Sequence, residues 1–384
     1  MRKDHPASAP RYLVNAANLH AGGGVQVATS AVAELLAQGA LSGNVFAHVS
    51  DEVAENLAAM DVDPGPNVTR RTIRGFNLTD GDSHRAMQGF DAVLTVFGPL
   101  YRWRPRFRSV VGFAQPWIIF PRNECYGRMG MIQRLKTRLK FWIHARFFKR
   151  ADVLVVELPH VKDGLVRELG IDPARIHVVR NCLSRLFLDP SAWRPVAVPQ
   201  VDCDLRLGFL GRNYLHKNTV IFPELVRILH DDHGINARVF VTLTDDEWSA
   251  TTPEFRQACV NVGPLTAPQC PGFYQTIDAV VFPSLLECFS ATPLEAMAMQ
   301  RPLFASDRGF NRDVCGDLAT YFDPLDPADA ARRIAEGWRA GFDPARLAAA
   351  RDHAIHFSSP AHRANSYLAL LRGAAPAEHL TNGS

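Results

Sequence analysis

At 384 residues the chain is long enough for two domains of ordinary size, and 47% hydrophobic with 21% charged residues excludes a disordered polymer. A formal net charge of +3 is too small to argue for nucleic acid as a partner. Seven cysteines with no C-x-x-C pair point to a reducing compartment and away from a disulfide framework or a zinc site. Met1 to Pro6 lacks the apolar stretch of a secretory signal, and no apolar run reaches the roughly 18 residues of a membrane span. The expected location is therefore cytoplasmic.

In chain order, candidate buried strands are Tyr12 to Asn15, Val45 to Val49, Ala92 to Phe97, Val110 to Ala114, Val153 to Val156 and Ile176 to Val179. A second set follows: Leu205 to Leu210, Ala237 to Leu243, Cys259 to Val262, Ala279 to Phe282, Leu303 to Ser306 and Thr320 to Phe322. Most are short β-branched runs that end in polar or glycine turns before a helical pattern, the signature of parallel sheets covered on both faces. Two such sets predict an α/β protein of two Rossmann-like domains. The interruption Asp189 to Gln200, with prolines at 190, 195 and 199, places the linker near residues 184 to 204. Met1 to Pro10 and Gly373 to Ser384 read as disordered tails.

Chemistry gathers at a few points along this chain. Gly22, Gly23 and Gly24 enter the first helical pattern, where glycines let a phosphate approach backbone amides at a helix N-terminus; ordinary turn chemistry explains them equally well. Phe209-Leu210-Gly211-Arg212, followed by Lys217-Asn218, closes one strand of the second set. Pro283 to Ala298 places Glu287 in a strand-to-helix loop and Glu295 in the first helical turn, both at the C-terminal edge of a parallel sheet, where open α/β folds bind ligands. Thr292-Pro293-Leu294-Glu295 also has the form of a capping box, in which Glu295 only satisfies the amide of Thr292.

The segment Glu287 to Glu295 resembles the E-x7-E signature of the retaining glycosyltransferases of family 4, and Gly211-Arg212 with Lys217 stands where that family has its second landmark. The resemblance covers most of the C-terminal half. It implies the GT-B fold, with two parallel sheets facing across a cleft: residues 1–183 on the acceptor side, with 358–384 crossing back to them, and 184–357 binding the nucleotide sugar. Breaking the bond from the anomeric carbon to phosphate builds negative charge on the leaving diphosphate, which Arg212 and Lys217 would stabilise. By the same resemblance Glu295 would accept from the donor ribose and Glu287 would contact hydroxyls of the transferred sugar; Phe289, Ser290, Ala291 and Thr292 would line the donor site, and the amides of Ser290 to Leu294 at the helix entry would face the diphosphate. Gly22 to Gly24 and Gly211 would line the donor site, with the base against Gly263. Neither a cofactor nor a metal is expected, since no Asp-x-Asp pair follows a strand.

Several positions depart from the family pattern. Cys288 and Ser290 stand where glycines are usual, Thr292 where proline is usual, and Gln115 where many members carry a first-domain histidine. An amide can hydrogen-bond a sugar hydroxyl but cannot act as an acid or base near pH 7. His20, beside the glycine loop, is the nearby substitute. An inactive nucleotide-sugar-binding subunit, or another GT-B enzyme such as a phosphorylase or epimerase, therefore stays open as an alternative.

Between Arg122 and Arg150 lie nine Lys or Arg against the single acid Glu124. Ile132, Leu135, Leu139, Trp142, Ile143 and Phe147 fall on one helical face, with Arg134, Arg138 and Lys149 opposite. Two readings follow: an ordinary helix with its apolar face in the domain core, or a basic face toward anionic lipid or a lipid-diphosphate acceptor, extended by Tyr101 to Arg108. The overall expectation is a retaining, metal-independent transferase that moves a sugar to a glycan or lipid-linked glycan in a bacterial surface polysaccharide pathway, peripheral on the inner membrane face.

Overall fold

The computed structural model describes residues 9–20, 22–73, 85–102 and 105–376. Most of the two expected tails lies outside them, as do Trp103 and Arg104 of the aromatic basic run. The chain divides into two compact units: one holds the chain up to Pro121, Gly130–Cys182 and the chain from Ser358, the other Arg122–Met129 and Leu183–Phe357.

The first unit is built on a seven-stranded parallel sheet in the order β3-β2-β1-β4-β5-β6-β7. Its strands are β1 Tyr12–Ala16, β2 Val45–Val49, β3 Val68–Arg70, β4 Ala92–Thr95, β5 Arg108–Gly112, β6 Val153–Val156 and β7 Ile176–Val178. The strand order reverses between β1 and β4, so the loops after these two strands flank the site where doubly wound sheets take ligands. The central strands β4 and β6 are buried along their whole length, which is why they read as continuous apolar runs. β3 has no counterpart among the expected strands, because it is a three-residue edge strand with two exposed positions and carries no apolar signal. The helix Pro360–Leu371 belongs to this unit, and its Ala364, Tyr367, Leu370 and Leu371 join the core formed by β1, β4 and helix Gly23–Ala37. Arg363, 1% exposed, fixes that helix by donating to Asn181 Oδ1 at 2.5 Å and Ser30 Oγ at 2.7 Å.

The second unit repeats the plan with six parallel strands in the order β10-β9-β8-β11-β12-β13. They are β8 Leu205–Phe209, β9 Ala237–Val241, β10 Cys259–Asn261, β11 Ala279–Phe282, β12 Leu303–Ser306 and β13 Thr320–Phe322. Here the reversal falls between β8 and β11, which pair as Ala279 with Leu207 and Val280 with Gly208. The loops carrying Gly211 to Lys217 and Leu285 to Ser290 therefore leave the sheet side by side.

Within the first unit, helix Met131–Phe148 corrects one sequence reading. Its inward side is His144, Phe147 and Phe148, with Phe141 stacked on Trp117 at 5.8 Å. Ile132, Leu135, Leu139 and Trp142 face solvent rather than the core. Periodicity identifies faces of a helix but not which of them a domain covers.

Candidate active site

Two short connections meet at the β8–β11 switch point. The amide of Leu285 donates to His216 O at 2.7 Å, which holds the loop after β11 against the turn Leu215–Lys217. Across this contact Lys217 Nζ lies 2.6 Å from Glu287 Oε1, with the two side chains only 15% and 10% exposed. Lys217 Nζ also sits 5.2 Å from the centre of the Phe282 ring, at the end of β11. Burial depresses the His216 imidazole below its usual range, Glu287 acts to raise it, and Lys217 lowers it further.

The turn is fixed from behind by Asn218, which is 1% exposed and adopts a left-handed conformation at φ 57°. Its Nδ2 donates to Pro324 O at 2.7 Å, and its Oδ1 accepts from Arg128 at 2.6 Å. Arg128 comes from the Arg122–Met129 segment, whose Glu124 is in turn paired with Arg308 at 2.6 Å. No local sequence signal connects Arg128 to Asn218, which stand 90 residues apart.

Glu295 does not cap its helix. Helix Ala291–Ala298 begins with Ser290 in the N-cap position and no side-chain cap, two residues before the start that the capping-box pattern implies. Thr292 Oγ1 instead donates to Leu210 O at 3.4 Å, tying the helix entry to the end of β8. Glu295 Oε2 accepts from the Tyr274 hydroxyl at 2.9 Å. Glu295 keeps part of its surface accessible, yet its carboxyl is deep enough that burial pushes it up to about 7, against the Tyr274 hydrogen bond and the Lys217 charge, which act downward. Tyr274, fully buried, is held well above the ordinary phenol value by burial and by Glu295. No local sequence signal links Tyr274 to Glu295, which stand 21 residues apart.

Arg212 is engaged elsewhere. Its Nε donates to Glu247 Oε1 at 2.8 Å, on the rim of the loop, and about half of the side chain is exposed. Glu247 also closes the capping box of helix Asp245–Ser249 and accepts from the amide of Asn213 at 3.1 Å. The amide of Gly211 donates to Thr242 Oγ1 at 3.1 Å. Phe289 packs on Phe357, with ring centres 6.5 Å apart. Gly263 has φ +84°, a conformation that excludes most other residues, and its amide turns back to Asn261 Oδ1 at 3.3 Å. Lys217, Glu287, Glu295, Thr292 and the Leu210-Gly211 strand end thus form one connected group, whereas Arg212 is drawn to Glu247.

In the first unit the glycine loop follows β1. Gly22 has φ +66° and precedes helix Gly23–Ala37, whose first turn carries neither a capping side chain nor an acid. A side chain at Gly23 would meet nothing within 4 Å, so open space, not packing, lies over this helix entry. Gln115 stands at the entry of the short helix Pro116–Ile119, beyond β5. His20 is committed to structure: Nδ1 lies 2.9 Å from Glu52 Oε2 and Nε2 2.6 Å from Ile73 O. Among the described residues no three His, Cys, Asp or Glu side chains converge as a metal site would need.

Residues 204–339 match the family model of the group 1 glycosyl transferases. No curated protein matches the chain in sequence. Solved structures do resemble it: a glycosyltransferase from Rickettsia africae has a TM-score of 0.64 at 15% identity, over 97% of this chain and 100% of that one. Sucrose-phosphate synthase from Thermosynechococcus elongatus has a TM-score of 0.65 at 15% identity, over 95% and 99%. HepE from Anabaena, solved with UDP-glucose, has a TM-score of 0.67 at 12% identity, over 94% and 100%. The chain has the GT-B fold, and its second unit carries a glycosyltransferase domain.

Proposed function

We propose that this protein is a retaining glycosyltransferase that moves a sugar from a nucleoside diphosphate sugar to a glycan or lipid-linked glycan. The observation that carries the reading is the Lys217–Glu287 pair, 2.6 Å apart and nearly buried at the switch point of a glycosyltransferase domain. A buried cation at a parallel-sheet edge is expensive to keep unless it binds an anion, and the diphosphate of a nucleotide sugar is the anion that such folds take there. The UDP-glucose bound by the Anabaena neighbour supports the same donor class.

In this mechanism Lys217 moves from Glu287 to the diphosphate and stabilises the charge that develops on it, with amides of the Ser290 to Thr292 helix entry in support. The bond from the anomeric carbon to the β-phosphate oxygen breaks, and its electron pair stays on that oxygen. An acceptor hydroxyl attacks the anomeric carbon from the same face, and its proton passes to the departing phosphate, which yields a retained configuration. Glu287, released from Lys217, accepts from hydroxyls of the transferred sugar, and Glu295 accepts from the ribose. Arg212 would reach the phosphates only after leaving Glu247. The base rests near Gly263. No step requires a metal, because cationic side chains carry the charge. Surface polysaccharide synthesis in bacteria, at the inner membrane face, fits the lipid-linked acceptor and the basic segment 122–150.

The test is turnover of a panel of UDP, GDP and dTDP sugars, read as nucleoside diphosphate release, with the anomeric configuration of the product read by NMR. Lys217→Ala should lose at least about a hundredfold in turnover, since one preorganised electrostatic group is typically worth on the order of 3 kcal/mol. An inverted product, or an unchanged rate in Lys217→Ala, would remove the mechanism.

A further inference from the structure

Helix Met131–Phe148 carries its apolar residues on the outside. Met131 is 85% exposed, Ile132 73%, Leu135 69%, Leu139 55% and Trp142 56%. At 100° per residue Met131, Leu135 and Trp142 fall within about 40° of one another, and Leu139 and Ile132 extend the same ridge to about 100°. Arg146 stands within the ridge, its guanidinium 4.5 Å over the Trp142 ring, and Arg138 borders the ridge with Lys136 on the other side, rather than lying opposite as the sequence pattern suggests. From Cys125 to Ala151 the sequence holds no acid, yet Arg134, Lys136, Arg138, Lys140, Arg146, Lys149 and Arg150 lie on or just after the helix. A contiguous exposed apolar patch on a protein marks an interaction surface.

We propose that this ridge inserts into the interface of an anionic bilayer. This deepens the membrane part of the proposed function, on which it rests, from attraction by a basic face to burial of Met131, Ile132, Leu135, Leu139 and Trp142 among acyl chains. A helix of 18 residues runs about 27 Å, long enough to lie along a surface, and no helix of the described residues is long and apolar enough to cross one. Interfacial helices bury an apolar face to about 5–10 Å while bordering bases stay at headgroup depth, where an anionic surface attracts them. Arg138, Lys136 and Arg146 can place their stems along the ridge and their charges at that depth. A second copy of the chain is a poor occupant, because pairing two such helices would oppose seven bases with seven more.

The experiment is sedimentation of the full chain with vesicles of phosphatidylcholine and phosphatidylglycerol, or of phosphatidylcholine alone, combined with quenching of tryptophan fluorescence by brominated lipid. The expected result is binding to the anionic vesicles, partly retained at about 1 M salt where the Debye length is only about 3 Å. Quenching should be present in the wild type and largely lost in Trp142→Phe. Leu135→Glu with Leu139→Glu should reduce vesicle binding at least tenfold with an unchanged thermal melt, since both positions are exposed. Binding that disappears at high salt, with no quenching attributable to Trp142, would overturn insertion and leave charge attraction standing. Absence of binding to either vesicle would overturn both. A concentration-dependent dimer broken by the Leu135→Glu, Leu139→Glu variant would assign the ridge to a second copy instead.

Discussion

Replacing Lys217 by Met removes the positive end of a nearly buried ion pair, and the stability of the variant tests how the pair is held. At 2.6 Å and an effective dielectric near 20 the attraction is about 6 kcal/mol, offset by several kcal/mol of desolvation for each ion. The intact pair is therefore close to neutral, but loss of one member leaves the other buried and uncompensated, at about 3–5 kcal/mol. Lys217→Met and Glu287→Gln should each lower the unfolding free energy by about that much, and the double variant should cost less than their sum by at least about 2 kcal/mol. Urea unfolding of the four proteins measures this, with the free energy taken from the transition that Lys217→Met displaces, since two units can unfold separately. Additive costs, with coupling below about 0.5 kcal/mol, would mean that the pair does not hold its two charges in burial and would refute the reasoning.

The carboxyl of Glu295, raised to about 7, accepts from ribose hydroxyls most strongly once ionised, so affinity for a nucleotide sugar should increase as pH rises through about 7, by up to about tenfold per unit below that point. Calorimetric titration from pH 6 to 8 reads it, and a flat profile removes the ribose role. Tyr274→Phe withdraws the hydroxyl that favours the ionised form, and the midpoint of that profile should move to higher pH; a fall would contradict the assignment of the hydrogen bond. Arg128→Ala should lower stability by about 1.5–3 kcal/mol, the worth of a hydrogen bond to a charged group, and reduce kcat more than it raises KM because Asn218 positions the Lys217 turn. Unchanged kcat would leave Arg128 as structural only. Gly263→Ala forces a β-carbon into φ +84° and should cost about 1–2 kcal/mol in thermal unfolding, with full stability arguing against the observed backbone.

Much of the fold was readable because buried parallel strands announce themselves as apolar runs. Val153–Val156, Ala279–Phe282, Leu303–Ser306 and Thr320–Phe322 fall where those runs place them. The exposed edge strand Val68–Arg70 has no such run and went unseen. At the site, Lys217, Glu287 and Glu295 could be singled out because each lies in a short segment directly after a strand. Their partners could not. The Lys217–Glu287 contact depends on a backbone bond from Leu285 to His216 O, and Arg128 and Tyr274 arrive from segments that are distant in sequence. The capping-box pattern at Thr292 misled because Leu210 O, supplied by another strand, takes the hydroxyl that the local motif assigns to an amide. The ridge of helix Met131–Phe148 misled for a similar reason: its inward side is chosen by Trp117 and neighbouring core groups, not by its own periodicity.

The most direct measurement is a thermal-shift comparison of wild type and a Lys217→Ala, Glu295→Gln double variant across UDP, GDP and dTDP sugars. Ligand at about a hundred times its dissociation constant stabilises the folded form by about 2.7 kcal/mol, enough to raise the melting temperature by several degrees. One nucleotide class should stabilise the wild type in this way and leave the double variant unmoved. A shift of equal size in both proteins, or none in either with any nucleotide, would contradict a donor site built on Lys217, Glu287 and Glu295.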